Sequence, residues 1–122
     1  MNTDTLRLSV VVPVHQGANV LPVVLDALAG SDLARDRWEL IVVDDASTDE
    51  TAEIARGRAD RVLLLPGPAR GPSFARNRGA EVSRGAWVVF VDADVVVHRN
   101  TLSAFAAAID LDSRVDAVFG AY

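Results

Sequence analysis

Two pairs of aspartates follow apolar segments of this sequence, and their carboxylates are the side chains best suited to chemistry. Asp44 and Asp45 follow one apolar segment, and Asp92 and Asp94 follow another. Carboxylates gathered at one edge repel one another unless a positive charge arrives. Mg²⁺ or Mn²⁺ would supply that charge, because hard divalent cations prefer oxygen ligands. Two carboxylates are too few to hold Mg²⁺, so the pattern predicts a cation whose shell is completed by a phosphate-bearing ligand.

Each acidic pair also has a purely structural explanation. An Asp at the end of a strand often only stabilises a turn or caps a helix, and a D-x-D sequence occurs by chance. The metal site is favoured because both pairs are expected at the same end of adjacent parallel strands. Arg70, Arg76 and Arg78 lie in or after a loop rich in Gly and Pro. For each of them, phosphate contact and simple solvation are both open.

The composition removes several other kinds of chemistry. The sequence has no Cys, and all 12 of its basic residues are Arg. Thiolate catalysis, Cys-ligated metals and any catalytic or phosphate-binding Lys are therefore excluded. A net charge of -5 argues against non-specific binding of nucleic acid. The segment Met1–Arg7 lacks the basic start and long apolar run of a signal peptide, which predicts a cytoplasmic protein.

Apolar runs alternate with segments of helical character along the chain. The predicted strands are Leu8–Val14, Glu39–Asp44, Arg61–Leu65, Ala86–Val91 and Arg114–Ala121. The predicted helices are Val20–Ala29 after an Asn19 cap, a helix from the Ser47–Glu50 capping box to Gly57, Pro72–Gly85, and Thr101–Asp110 after an Asn100 cap. Strands this apolar are typical of a parallel sheet covered on both faces. The expected fold is an open, mostly parallel α/β sheet that binds ligands at the carboxyl ends of its strands.

Four short motifs give the sequence a specific resemblance. In chain order they are Val10–Val14, Val42–Asp49, Ala75–Gly79 and Phe90–Asp94, which are similar to the patterns V-P-V-Y-N, V-D-D-G-S-T-D, A-R-N-x-G and F-L-D-A-D. With these motifs the chain resembles the nucleotide-sugar half of a family 2 glycosyltransferase of the Rossmann-like GT-A fold. Four motifs in the family's order make the resemblance specific, and it covers essentially all of residues 1–122.

The resemblance implies how the donor base is bound. Asp45 matches a carboxylate that accepts a hydrogen bond from the base of a UDP-type donor. Pro13 and His15 match positions that line the base, with His15 standing where the family usually has Tyr. Gln16 replaces the usual Asn. The implied nucleotide-binding residues are Pro13, Val14, His15, Asp44, Asp45, Arg76, Asp92 and Ala93.

The resemblance also implies a metal site. Asp92 matches an acid near the ribose and the metal, and Asp94 matches the ligand of a divalent cation, Mg²⁺ or Mn²⁺, that bridges the diphosphate. Such a cation makes the nucleoside diphosphate a better leaving group. The function implied is transfer of a sugar from a nucleoside diphosphate to an acceptor hydroxyl.

Members of this family are much longer than the present chain. The remaining part would supply the acceptor site and, in inverting members, a carboxylate base. No residue after Asp94 fits that base, so residues 1–122 are expected to bind the donor without transferring sugar. Met1 suggests a natural start and Tyr122 an artificial end. The acceptor, the sugar and any membrane association of the full-length protein stay open.

The resemblance further implies the strand order 3-2-1-4, with no partner strand beyond Trp87–Val91. An apolar strand with unpaired backbone groups favours association. The expected outcome is a homodimer through this open edge, with pairing of the last predicted strand within the chain as the second possibility.

Two other functions are weighed against sugar transfer. Val88–Val96 matches the strand-D-x-D motif of haloacid-dehalogenase-like phosphatases, in which Asp92 would be the nucleophile and Asp94 the acid/base. No Lys follows it, although such enzymes need one. The second alternative is a nucleotide-binding module without catalysis.

Overall fold

The computed structural model describes residues 6–112, 114 and 116–118. Its strands are β1 (Leu8–Val14), β2 (Trp38–Asp45), β3 (Arg61–Leu65) and β4 (Trp87–Phe90). Its α-helices are α1 (Leu21–Ala29), α2 (Thr51–Arg56), α3 (Pro72–Val82) and α4 (Thr101–Leu111). A short 3₁₀ turn, Arg35–Arg37, leads into β2.

The four strands form one parallel sheet in the order β3-β2-β1-β4. This confirms the predicted open α/β fold and its strand order. β1 lies in the interior and pairs with β2 from Leu8↔Trp38 to Val14↔Asp44. On its other side it pairs with β4 from Leu8↔Trp87 to Val11↔Phe90. Because all four strands run the same way, their carboxyl ends meet at one edge of the sheet.

Alternating side chains of β1 pack into two separate apolar layers, one on each face of the sheet. Leu8, Val10 and Val12 face α1 and α4 in the larger layer, whose helical members include Leu25 and Leu102. The smaller layer lies on the opposite face and is built by Val11, Ile41, Val43 and Ala75. Helices therefore cover both faces, which explains why every residue of β1 and β2 is buried.

Helix α3 approaches the sheet closely because it has a glycine where it crosses β1 and β2. A Cβ atom added to Gly79 would lie 2.4 Å from Val11 Cγ1 and 3.1 Å from Val43 Cγ2. Those distances leave no room for a side chain. The glycine of the A-R-N-x-G motif thus sets the height of α3 above the sheet, and with it the position of Arg76.

A buried carboxylate at the amino edge of the sheet has a structural role. Glu39 accepts hydrogen bonds from the Ser9 hydroxyl at 2.6 Å and from the Arg84 N–H at 2.8 Å. The Ser9 oxygen in turn accepts the Gly85 N–H at 2.8 Å. These bonds tie the loop before β4 to β1 and β2, at the end of the sheet opposite the predicted site.

The predicted helix caps are wrong in detail. Helix α1 has Val20 at its N-cap instead of Asn19, and Asn100 is the N-cap of α4 but makes no side-chain capping bond. Helix α2 begins at Thr51 after Glu50, so Ser47 does not cap it. The Ser47 hydroxyl accepts the Gln16 N–H from another loop instead, a contact that no local pattern reveals.

The last predicted strand is not supported where it can be checked. Arg114 and residues 116–118 are described, and they are not in a strand. The other residues of Arg114–Ala121 lie outside the described part of the chain. Within the part that is described, no helix combines the length and the apolar character needed to span a membrane.

Candidate functional site

The predicted site residues lie at the carboxyl edge of the sheet, but not on adjacent strands. Asp44 and Asp45 end β2, whereas Asp92 follows β4, and β1 lies between these two strands. The expectation that the two acidic pairs end adjacent strands is therefore wrong. Strands are spaced by about 4.8 Å, so β2 and β4, from which the two pairs extend, lie about 10 Å apart. Asp44 and Asp45 thus belong to one end of an elongated site, and Asp92 and Asp94 to the other.

Asp45 holds a loop across the carboxyl end of β2. Its residue is buried, and its carboxylate accepts the Gly71 N–H at 2.7 Å. The Arg70 N–H is shared between the two carboxylate oxygens at 3.1 and 3.0 Å. A carboxylate offers about four acceptor positions, so one oxygen can still accept a hydrogen bond from a ligand.

His15 lies directly against Asp45. Its Nδ1–H donates to the Asp45 backbone carbonyl oxygen at 2.6 Å, a direction fixed because a carbonyl can only accept. This bond fixes the ring orientation while the residue stays exposed. The imidazole is thereby held against the Asp45 backbone at the carboxyl end of β2. Pro13 and Val14, immediately before it, are buried and are the last two residues of β1.

Asp44 is buried and faces the turn that follows β2. Its Oδ1 accepts the Ser47 N–H at 3.0 Å. This contact gives Asp44 a structural role in shaping the turn that carries Ala46 and Ser47. A direct contact between Asp44 and a nucleotide stays a prediction.

Arg76 and Asp92 form an ion pair at the other end of the site. The Arg76 guanidinium donates to Asp92 Oδ1 at 2.7 Å. Helix α3 thus brings a positive charge to the end of β4, which partly offsets the Asp92 carboxylate. Asp94 is exposed and has no hydrogen bond or ion pair to any other described residue. Ala93 lies half-buried between the two aspartates.

The side chains at this end supply only some of the ligands that a hard divalent cation needs. Asp92 and Asp94 offer carboxylate oxygens, which suit Mg²⁺ or Mn²⁺. No group of three or more His, Asp or Glu residues suited to a metal occurs among the described residues. A cation at Asp92 and Asp94 would therefore need oxygens from a phosphate-bearing ligand, in agreement with the sequence prediction.

A network between the loops after β1 and β2 was not foreseen from the sequence. The Gln16 side chain accepts the Thr48 N–H at 2.6 Å and donates to the Thr48 hydroxyl at 3.0 Å. The Gly17 N–H donates to the Thr51 hydroxyl at 2.9 Å. The only sequence signal is the concentration of short polar residues after β2, which does not identify their partners.

Asp49 completes this network. Its Oδ1 accepts the Thr51 N–H at 3.0 Å and also the Thr51 hydroxyl, and its Oδ2 accepts the Ala18 N–H at 3.1 Å. The hydrogen bond from the Thr51 hydroxyl, followed by those from the backbone N–H groups, holds the pKa of the Asp49 carboxyl below its ordinary value of 3.8. Asp49 therefore acts as an ionised anchor between the two loops.

The comparison with protein families decides the class to which this arrangement belongs. The sequence profile of Glycosyl transferase family 2 matches residues 9–122. The chain belongs to glycosyl transferase family 2. This membership confirms the resemblance carried by the four motifs and leaves the phosphatase alternative without support.

Curated family 2 relatives are longer proteins. The poly(ribitol-phosphate) beta-N-acetylglucosaminyltransferase TarS of Staphylococcus aureus is 33% identical over 109 residues, covering 86% of this chain and 19% of TarS. The uncharacterized glycosyltransferase YibD of Escherichia coli is 36% identical over 121 residues, covering 92% of this chain and 34% of YibD. The chain thus spans about a third or less of the length of these two relatives.

Solved structures agree with the observed fold. TarS residues 1–349 in complex with UDP-GlcNAc superpose with a TM-score of 0.80 at 34% identity, over 87% of this chain and 32% of that one. A mannosyltransferase from Pyrobaculum calidifontis, in complex with GDP-Man and Mn²⁺, gives a TM-score of 0.72 at 33% identity, over 80% and 30% of the two chains. The parallel sheet and its helices are therefore the GT-A arrangement of family 2.

Proposed function

We propose that this family 2 chain binds the nucleoside diphosphate of a sugar donor along the carboxyl edge of its sheet. The observation that carries the proposal is the pairing of His15 with Asp45 at one end and of two aspartates at the other. The strands that lead to these two ends, β2 and β4, are two strand spacings apart, or about 10 Å. A base, a ribose and a diphosphate laid end to end need a site that is elongated in this way.

At the base end, Asp45 accepts a hydrogen bond from a ring N–H. Uracil offers N3–H and guanine offers N1–H, whereas cytosine has no ring N–H to donate. The Arg70 and Gly71 N–H groups hold the carboxylate in place before the ligand arrives, which lowers the cost of ordering it on binding. A UDP-type donor is the proposed ligand, and the chemistry also admits a guanine base.

At the diphosphate end, Asp92 and Asp94 would hold a divalent cation together with phosphate oxygens. A bound cation would neutralise the charge that develops on the departing diphosphate. The Arg76 guanidinium, already beside Asp92, orients that carboxylate and adds positive charge near the phosphates. Two related structures support this proposal. The TarS complex contains UDP-GlcNAc, and the mannosyltransferase complex contains GDP-Man together with Mn²⁺.

For the whole protein, the proposed reaction is transfer of the sugar to an acceptor hydroxyl. The described residues supply the donor end of that reaction. The predicted homodimer, the cytoplasmic location and the membrane association of a longer protein stay predictions.

The base contact is tested by changing one atom of Asp45. In Asp45→Asn the amide oxygen can keep the Arg70 and Gly71 N–H bonds, which turns the amide NH₂ toward the base. We expect UDP affinity to fall by about tenfold, the loss of a charge-assisted hydrogen bond. CDP, whose ring N3 accepts a hydrogen bond, should then bind the variant at least as well as UDP. Calorimetric titration in Mn²⁺ measures both affinities.

Asp26→Asn is the matched control for this experiment. Asp26 lies on α1 in an exposed ion pair with Arg58, away from the carboxyl edge, so its loss should leave UDP affinity unchanged. Unaltered UDP affinity in Asp45→Asn would remove Asp45 from the base site.

A further inference from the structure

The loops that carry His15 and Asp45 are joined by side chains that do not themselves form the proposed base surface. Gln16 makes two hydrogen bonds to Thr48, one to its backbone N–H at 2.6 Å and one to its hydroxyl at 3.0 Å. Its own N–H donates to the Ser47 hydroxyl at 2.8 Å. Gln16 thus contacts two consecutive residues of the loop after β2 with both its backbone and its side chain.

The backbone is unusual at the same two places. Gln16 has φ 52° and Ala46 has φ 59°, and they are the non-glycine residues with positive φ among the described residues. Gln16 follows His15 and Ala46 follows Asp45, so each left-handed residue directly adjoins a proposed base-contacting residue. Such conformations cost free energy and persist only where the surroundings enforce them. The Gln16–Thr48 bonds help to hold the turn after β1, together with the bond from the Gln16 N–H to Ser47.

We propose that Gln16 is a positioning residue for the nucleotide base, acting through Thr48 to hold His15 and Asp45 in one fixed arrangement. The inference rests on the proposed function, because it concerns the same site. Gln16 does not need to touch the nucleotide. It lowers the cost of binding by ordering both loops in advance, since the His15 ring is bonded to the Asp45 carbonyl across the same gap.

The test removes the two bonds without changing the size of the side chain. Gln16→Met is nearly isosteric and keeps a non-glycine residue at φ 52°. We expect it to weaken UDP binding by about three- to tenfold in the presence of Mn²⁺, the effect of losing two exposed hydrogen bonds that order the loops. Thr48→Val, which removes only the hydroxyl, should show a smaller loss. Thr48→Ser, which keeps the hydroxyl, should bind UDP with the affinity of the wild type.

Two comparisons separate positioning from general destabilisation. Asn19→Ala is the matched control, because Asn19 is an exposed amide three residues after Gln16 whose side chain makes no hydrogen bond to the described residues, and it should bind UDP like the wild type. The second comparison is a double-mutant cycle. In an Asp45→Ala background, Gln16→Met should cause a smaller further loss, because one of the two residues that it positions has lost its carboxylate. Purely structural damage would reduce affinity equally in both backgrounds.

Each outcome has one meaning. If Gln16→Met binds UDP as tightly as the wild type, or if its effect is equal in the Asp45→Ala background, the positioning role is wrong and the proposed function stands. If Gln16→Met fails to fold, Thr48→Val decides the question by the same criteria. If the wild-type chain does not bind UDP with Mn²⁺, the proposed function and this inference both fall.

Discussion

At the scale of single residues, the site depends on carboxylates that have different partners. Asp45 accepts backbone N–H groups of a neighbouring loop, Asp44 stabilises its own turn, and Asp92 is paired with Arg76. Asp94 alone among these four has no partner within the described residues. It is therefore the carboxylate most available to an incoming cation, as the resemblance implied.

The contribution of Asp49 to the stability of the fold is predicted to depend on pH. Its pKa is lowered in the folded chain, so the ionised form stabilises the fold. That contribution is fully present above the ordinary value of 3.8 and is lost as the pH falls through the lowered folded value. We expect urea midpoints of wild type and Asp49→Ala to differ most at neutral pH and to converge below pH 3.8. Urea unfolding at several pH values measures this difference.

The exposed ion pair of Arg114 with Asp112 provides a comparison for that experiment, because the pKa of Asp112 is also lowered, mainly by the Arg114 side chain. Asp112 anchors no loop of the site, so Asp112→Ala should change the midpoint less than Asp49→Ala does. A gap between wild type and Asp49→Ala that stayed constant from neutral pH to well below 3.8 would contradict the anchoring role.

At the scale of elements, the position of Arg76 depends on how closely α3 packs on the sheet. Adding a methyl group at Gly79 would create a contact of 2.4 Å with Val11, which is buried and cannot move away. We expect Gly79→Ala to lower the free energy of unfolding by about 1–3 kcal/mol, the cost typical of an overpacked core. Urea denaturation monitored by circular dichroism gives this value.

Gly57→Ala is the matched control for Gly79→Ala. Gly57 follows α2 with φ -80°, and a Cβ atom there would meet nothing within 4 Å. The free energy of unfolding of Gly57→Ala should be unchanged or slightly raised, because alanine restricts the conformations of the unfolded chain. Equal stabilities of the two variants would show that α3 can shift outward and that Gly79 does not fix its height.

The bounds of two strands could be predicted from the sequence more accurately than the helix caps. The bounds of β1 and β3 are those predicted, because long runs of β-branched and aliphatic residues suit a strand buried between helices. Of the predicted caps, only the position of Asn100 was correct, since a capping side chain has several possible partners. Ser47 accepts the Gln16 N–H across a gap of 31 residues in the sequence, and such partners are set by tertiary structure.

The candidate site, too, could be predicted from the sequence only in part. Its location was predictable, because the carboxyl ends of parallel strands meet at one edge. The separation of Asp45 from Asp92 by β1 follows from the strand order, and the Arg76–Asp92 pair follows from where α3 packs. The role of Gln16 depends on the approach of two loops, which neither composition nor motif spacing encodes.

At the scale of the whole molecule, the side of β4 away from β1 has no partner strand among the described residues. A cavity of about 600 Å³ lies along it, lined mainly by apolar side chains of β4, α4 and the segment between them, such as Phe90, Val96 and Phe105. Unpaired backbone groups beside an apolar surface favour a further strand. The homodimer predicted from the sequence would place a second copy there, and it stays a prediction.

The carboxyl edge of this family 2 chain is proposed to bind a nucleoside diphosphate and a divalent cation together. Asp92 and Asp94 are too few to hold the cation, and the diphosphate needs the cation to approach them. The binding of UDP and of Mn²⁺ should therefore be mutually dependent, and the coupling must be reciprocal. Asp94→Asn should bind UDP with an affinity that no longer responds to Mn²⁺.

Isothermal titration calorimetry of UDP into the wild-type chain, with and without Mn²⁺, measures this mutual dependence. We expect UDP binding to strengthen markedly when Mn²⁺ is present, and Mn²⁺ to bind weakly when UDP is absent. Tight binding of Mn²⁺ without the nucleotide, or UDP affinity that is the same with and without Mn²⁺, would contradict joint binding at this edge.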